Sequence, residues 1–144
     1  MSHFKILIVG QGNEGKSSFI KKFPHTRLSS NKGMFDDDKV MLKVDTIHGV
    51  VDLEVVISNH YPIRDGIDGE IVMVDLTRPT TISNLSLPET NNPRVIVGNK
   101  CDLKDQLIPH NVDIEMSVKT GHNIDKPFAT LIDLMYKRNS IAGQ

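Results

Sequence analysis

The chain has 144 residues, 38% hydrophobic and 24% charged, with a formal net charge of -1. This is the length of one ordinary globular domain, spanning 1–144, and it leaves no room for a second; the near-zero charge excludes a general attraction to nucleic acid or to an anionic membrane. A single cysteine, Cys101, excludes an internal disulfide and suits a reducing compartment.

No apolar run approaches the length of a membrane span, and Met1-Ser2-His3-Phe4-Lys5 does not read as a signal peptide. Residues 138–144 contain no cysteine to prenylate, and Ser2 stands where myristoylation needs glycine. The expectation is a soluble, intracellular protein without a lipid anchor or transmembrane segment.

In chain order, the apolar run 4–9 predicts a strand, and Gly10-Gln11-Gly12-Asn13-Glu14-Gly15-Lys16-Ser17 follows it. That octapeptide fits G-x-x-x-x-G-K-[ST] at every fixed position, and residues 17–23 continue with a helical pattern, as the motif requires. A polyphosphate is anionic and bulky, so the backbone must approach it closely with N–H groups turned inward. Gly10, Gly12 and Gly15 allow the approach, Asn13 and Glu14 lie within the loop, Lys16 supplies a mobile charge, Ser17 offers a hydroxyl to Mg2+, and Ser18 follows at the helix start. Glu14 is unusual, being an anion inside an anion-binding loop.

Pro24 stops the first helix at Phe23, and residues 25–38, with the acidic run Asp36-Asp37-Asp38, read as a loop. Residues 40–44 and 51–57 predict an antiparallel hairpin turning at His48-Gly49, at a sheet edge. Residues 70–75 and 94–98 read as buried strands and 113–116 as the last strand. Residues 58–68, 79–88 and 103–111 are each short and proline-bearing or poorly patterned, and predict at most short helices. The final helix is the clearest: Asn123 or Asp125 caps it, Pro127 suits its first turn, and Phe128, Leu131, Ile132 and Met135 recur at i, i+3, i+4 and i+7.

Two further stretches carry chemistry, Asn99-Lys100-Cys101-Asp102-Leu103 after a strand and Ser117-Val118-Lys119-Thr120-Gly121 after the last one. Together with the phosphate loop, in this order and at strand ends, they resemble the Ras superfamily of small GTP-binding proteins; Val74-Asp75-Leu76-Thr77 resembles the fourth strand end of Rab-like members. The resemblance covers most of the chain. It implies a three-layer α/β P-loop NTPase G domain with a six-stranded, mostly parallel sheet, binding GTP or GDP with Mg2+. Here the helices of one sheet face are reduced.

The resemblance also implies roles. Asp102 would accept from the N1–H and 2-amino group of guanine, an edge that adenine lacks. Asn99 would brace the site, Lys100 would lie along base and ribose with Leu103 beside them, and Ser117, Val118 and Lys119 would hold Asp102 and the guanine oxygen. The metal ligand from the chain would be Ser17.

Departures from the family are equally informative. Ser58-Asn59-His60-Tyr61 stands where the family has Asp-x-x-Gly, and Pro62 where it keeps a water-orienting glutamine. No threonine fits the first switch, whose place is near Phe35-Asp36, since Thr26 lies too close to helix one. Asp75 superficially ends a Walker B strand, but strand order makes it a fourth-strand residue instead. The expected function is a nucleotide-binding switch or regulator with weak or absent intrinsic hydrolysis and a protein effector or regulator as partner. The alternatives are an active GTPase that uses unconventional residues or a partner's arginine finger, and a nucleotide-free interaction scaffold. The thin helical cover further predicts an apolar sheet face available to a partner or a second copy of the chain.

Overall fold

The computed structural model describes residues 2–10, 16–23, 26–32, 38–58, 66–77, 90–100 and 112–142. Readings that fall on 11–15, 33–37, 59–65, 78–89 and 101–111 lie outside the described residues.

One sheet contains β1 (Ser2–Val9), β2 (Thr26–Lys32), β3 (Asp38–Thr46), β4 (Gly49–Ser58), β5 (Gly69–Asp75), β6 (Arg94–Asn99) and β7 (Ile114–Glu115). Two helices are described, α1 (Lys16–Lys22) and α2 (Lys126–Ala142). The spatial order is β2-β3-β4-β1-β5-β6-β7. Pairing is parallel from β4 through β1, β5 and β6 to β7, and antiparallel across β2-β3-β4.

The six strands predicted from sequence all form, and β2 is added to them within the stretch read as a loop. Thr26-Arg27-Leu28-Ser29-Ser30-Asn31-Lys32 is poor in strand formers, so the reading from propensity fails there. The pairing has a different cause: the outer edge of β3 offers a row of backbone N–H and C=O groups, and β2 satisfies them from Thr26↔Lys43 to Lys32↔Asp38, with a register shift between Arg27 and Ser29. The hairpin is therefore one strand inside the edge. Its turn follows Thr46↔Gly49 pairing, with Gly49 at φ 97°, and Thr46 Oγ1 accepts the His48 N–H at 3.0 Å.

Strict alternation along the central strands divides the core. Ile6 and Ile8 of β1, Leu53 and Val55 of β4, Ile71 and Met73 of β5 and Val95 and Val97 of β6 face α1 and α2, forming the larger core with them. The other face carries Leu7, Val9, Val56 and Val72. In α2 the predicted stripe of Phe128, Leu131, Ile132 and Met135 is buried, and Ala129 N–H donates to the Asp125 carbonyl at 3.3 Å, making Asp125 the residue that opens the helix. Phe128 stacks on Phe19 at 5.2 Å between ring centroids and lies 4.7 Å from Phe23, which joins α2 to α1.

The expected bare sheet face is not found among the described residues. Leu7, Val9, Val56 and Val72 are at most 3% exposed, because an apolar face left in water would cost about 25 cal/mol per Å2. The exposed large hydrophobic residues among those described are Ile47, Val50 and Leu134, on the hairpin and α2. No helix among the described residues is long and apolar enough to cross a membrane.

Gly98 marks the tightest approach between elements. A Cβ there would stand 2.5 Å from Leu76 Cδ2 and 2.7 Å from its Cγ, and Leu76 is itself fully buried. Gly98→Ala is expected to cost about 1–3 kcal/mol by overpacking, read from urea unfolding, and Leu76→Val in the same chain should recover part of it. An unaltered midpoint would show that Leu76 has room to move.

Candidate functional site

The sequence motifs converge because β1, β5, β6 and β7 are parallel and end on the same side of the sheet, the edge where open α/β sheets place ligands. At the end of β1, Val9 lies between Ser58 of β4 and Val72 of β5. Gly10 N–H then donates to the Ser58 carbonyl at 3.3 Å. The chain re-enters the described structure at Lys16, the first residue of α1. Lys16 is 5% exposed, and its Nζ donates to the Gly10 carbonyl at 3.1 Å. One ammonium thus ties the two ends of the Gly-rich loop together and places a buried cation beside it. Gly12, Asn13, Glu14 and Gly15 lie outside the described residues. Ser17 is placed on α1 by its backbone, and Ser18 is exposed on the same helix.

On the other side, Asp75 and Asn99 are register partners at the ends of β5 and β6, and Leu76 N–H donates to the Asn99 carbonyl at 3.0 Å. Asn99 is 4% exposed, and its Oδ1 accepts the Val118 N–H at 3.0 Å. This bond joins the end of β6 to the loop after β7. Fully buried Ser117 accepts the Thr120 N–H on its Oγ at 3.1 Å and pairs its backbone with His122, closing the second loop into a tight turn with Gly121 at φ 84°. Asn123 Nδ2 donates to the Glu115 carbonyl at 2.9 Å, pinning the turn to β7. Lys22 Nζ reaches the Lys119 carbonyl at 2.9 Å, so the end of α1 also touches this loop. Asp102 and Leu103 lie outside the described residues.

Lys100 does not stand alone. Its Nζ donates to Asp75 Oδ2 at 2.8 Å, while Thr77 donates through N–H and hydroxyl to Asp75 Oδ1. Burial by itself would push the Asp75 carboxyl up; hydrogen bonds from Lys100 and Thr77, with the lysine's charge, outweigh it and hold the group below the usual aspartate range. The carboxylate that resembled a Walker B acid is therefore engaged by a threonine just beyond its own strand and by a lysine just beyond the neighbouring strand β6. Sequence reading placed Asp75 at the end of the fourth strand of the Rab-like pattern, in preference to a Walker B acid, and missed this partner. The signal available was placement: both residues close apolar strands, which as neighbours bring their ends together.

The arrangement suits an anionic ligand on the α1 side, where the buried Lys16 ammonium meets the end of β1. Groups of three or more potential metal ligands from His, Cys, Asp or Glu are absent among the described residues.

No protein-family profile matches the chain. It is similar to the Ras-related protein RabG2 of Dictyostelium discoideum, at 27% identity covering 97% of this chain and 85% of that protein. It is also similar to RabH of the same organism, at 25% covering 94% and 83%, and to the Ras-related protein ralB-A of Xenopus laevis, at 26% covering 89% and 77%.

The depressed Asp75 pKa gives stability a defined pH dependence. A carboxyl titrating lower in the native than in the unfolded chain stabilises above its unfolded value of about 3.9, and the contribution is lost as pH falls through the native value. Asp75→Asn should therefore differ more from the parent in urea unfolding at neutral pH than near pH 3. A gap independent of pH would assign the effect to packing instead of charge.

Proposed function

We propose that the chain is a small GTP-binding protein of the Ras-related kind it resembles, a regulator that retains GDP or GTP while hydrolysing GTP weakly or not at all. The observation that supports retention is the shared strand-end edge, where Gly10 and Lys16 are tied together and the end of β6 is tied to the loop after β7 by the Asn99–Val118 bond at 3.0 Å. In this reading the backbone of Gly10, Gly12, Asn13, Glu14 and Gly15 lines the phosphates, Lys16 neutralises them and Ser18 lies alongside. The Ser17 hydroxyl is an oxygen donor of the kind Mg2+ prefers. Asn99, Lys100, Asp102, Leu103, Ser117, Val118 and Lys119 hold the base.

Weak hydrolysis follows from what β4 presents. Its end is fixed beside Gly10 by the Val9↔Ser58 pair, and the residue there is a serine, which has no charge to steady a metal-bound water. Pro62 has no side-chain donor or acceptor to orient an attacking one. The bound state would then be ended by a protein regulator or by release. A second copy docked on the face of Leu7 and Val72 is disfavoured by their burial.

Mass spectrometry of nucleotide released from the purified chain tests the reading: GDP or GTP near one per chain is expected, and an empty protein would favour the scaffold alternative. Asp102→Asn should weaken GDP on the order of 10^2-fold or more and admit xanthine nucleotides, whose edge accepts where guanine donates. Unchanged GDP affinity would overturn the base assignment. Single-turnover hydrolysis should run at or below about 10^-4 per second; a rate near 10^-2 per second would reveal a catalytic group among residues such as His60.

A further inference from the structure

Lys100 has a backbone φ of 68°. The left-handed region is adopted by few residues other than glycine, asparagine and aspartate, and a lysine stays there when its surroundings hold it. The holding group is across the sheet. Asp75 is 2% exposed at its side chain, against 35% for Lys100, so the lysine directs its charged end to a buried carboxylate while its side chain stays partly exposed. Both carboxylate oxygens are engaged, Oδ2 by Lys100 at 2.8 Å and Oδ1 by Thr77 N–H at 2.8 Å and by its hydroxyl. The carboxylate therefore has a fixed orientation, and the lysine inherits it. The strand register adds a second constraint, because Asp75 is the direct partner of Asn99, whose Oδ1 braces the neighbouring loop.

We propose that Asp75 is a positioning residue of the nucleotide site: by holding the Lys100 ammonium it lays the apolar stem of that lysine against the flat base and sugar, and so slows nucleotide release without touching the nucleotide. A methylene stem covers an aromatic face well only while its polar end is satisfied elsewhere. The Asp75 carboxylate satisfies it on the side of the sheet. This rests on the reading of Asn99-Lys100-Cys101-Asp102 as the base-recognition loop.

The test is the release rate of radiolabelled GDP, chased with unlabelled GDP, from the parent, Asp75→Asn, Lys100→Met and the double variant. Each single change should speed release on the order of tenfold. The double variant should be within about twofold of the faster single one, since the two residues act as one unit. Release is counted on loaded molecules alone, so a merely structural role would lower the amount of label bound and leave the rate unchanged. Parental release from Asp75→Asn, or a double variant near the product of the two single effects, would overturn the proposal while leaving the nucleotide site intact. A parent that holds no GDP would overturn the base-loop reading itself. Should Asp75→Asn not fold, Thr77→Val removes one of the bonds that orient the carboxylate; release faster than the parent by a factor of about three or more supports the proposal, and the parental rate refutes it.

Discussion

A helix of seven residues has little stability of its own in water, so the position of Lys16 depends on what holds α1 from below. That support is the aromatic cluster in which Phe19 stacks on Phe128 at 13° and Phe23 closes against the same ring. Phe19 and Phe128 are fully buried, and α2, seventeen residues long, supplies the rigidity that α1 lacks. The upstream end of the Gly-rich loop is fixed independently, by β1 lying between two parallel neighbours. The two ends of the Gly-rich loop are thus both anchored, and the Lys16–Gly10 bond joins them directly.

The second part of the site is built from buried polar groups, where geometry is least forgiving. Asn99, Ser117 and Asp75 are each no more than 4% exposed, and a buried polar atom without a partner costs about 1–3 kcal/mol. All three have partners in neighbouring loops or strands. The consequence is mutual definition: the end of β6, with Lys100, is held by Asp75 and by the loop after β7, and neither could shift alone without leaving an orphaned amide or carboxylate.

Much of this was legible in the sequence, for identifiable reasons. The strands at 4–9, 51–57, 70–75 and 94–98 are marked by apolar runs, and α2 by a periodic stripe, so local pattern and tertiary environment agree there. The strand at 26–32 was not legible because its pairing depends on the open edge of β3 and not on its own residues. The Lys100–Asp75 pair was hidden by 25 residues of separation; the register of β5 against β6 brings the two together. In the site, the motif positions could be named, but the bonds between them could not. The expectation of a bare sheet face failed because helix count is a poor proxy for cover: burial is a property of atoms in contact, and Leu7 and Val72 are enclosed.

Binding and turnover draw on different residues, and the proposed function separates them in this chain. Holding a nucleotide needs charge and hydrogen bonds at the strand ends, which Lys16, Asn99, Ser117 and their partners are placed to supply. Cleaving one needs a water oriented at the end of β4, where the chain has serine and, four residues on, proline. If the proposed weak hydrolysis holds, the lifetime of a bound state would be governed by how firmly the first set closes. Its closure is mechanical, since the Asn99–Val118 bond and the Lys22–Lys119 bond tie the end of β6, the loop after β7 and the end of α1 together. A regulator of such a protein would therefore act most effectively by prising these loops apart, and the bonds that resist it are those within reach of α1, β6 and β7, not those of a catalytic water.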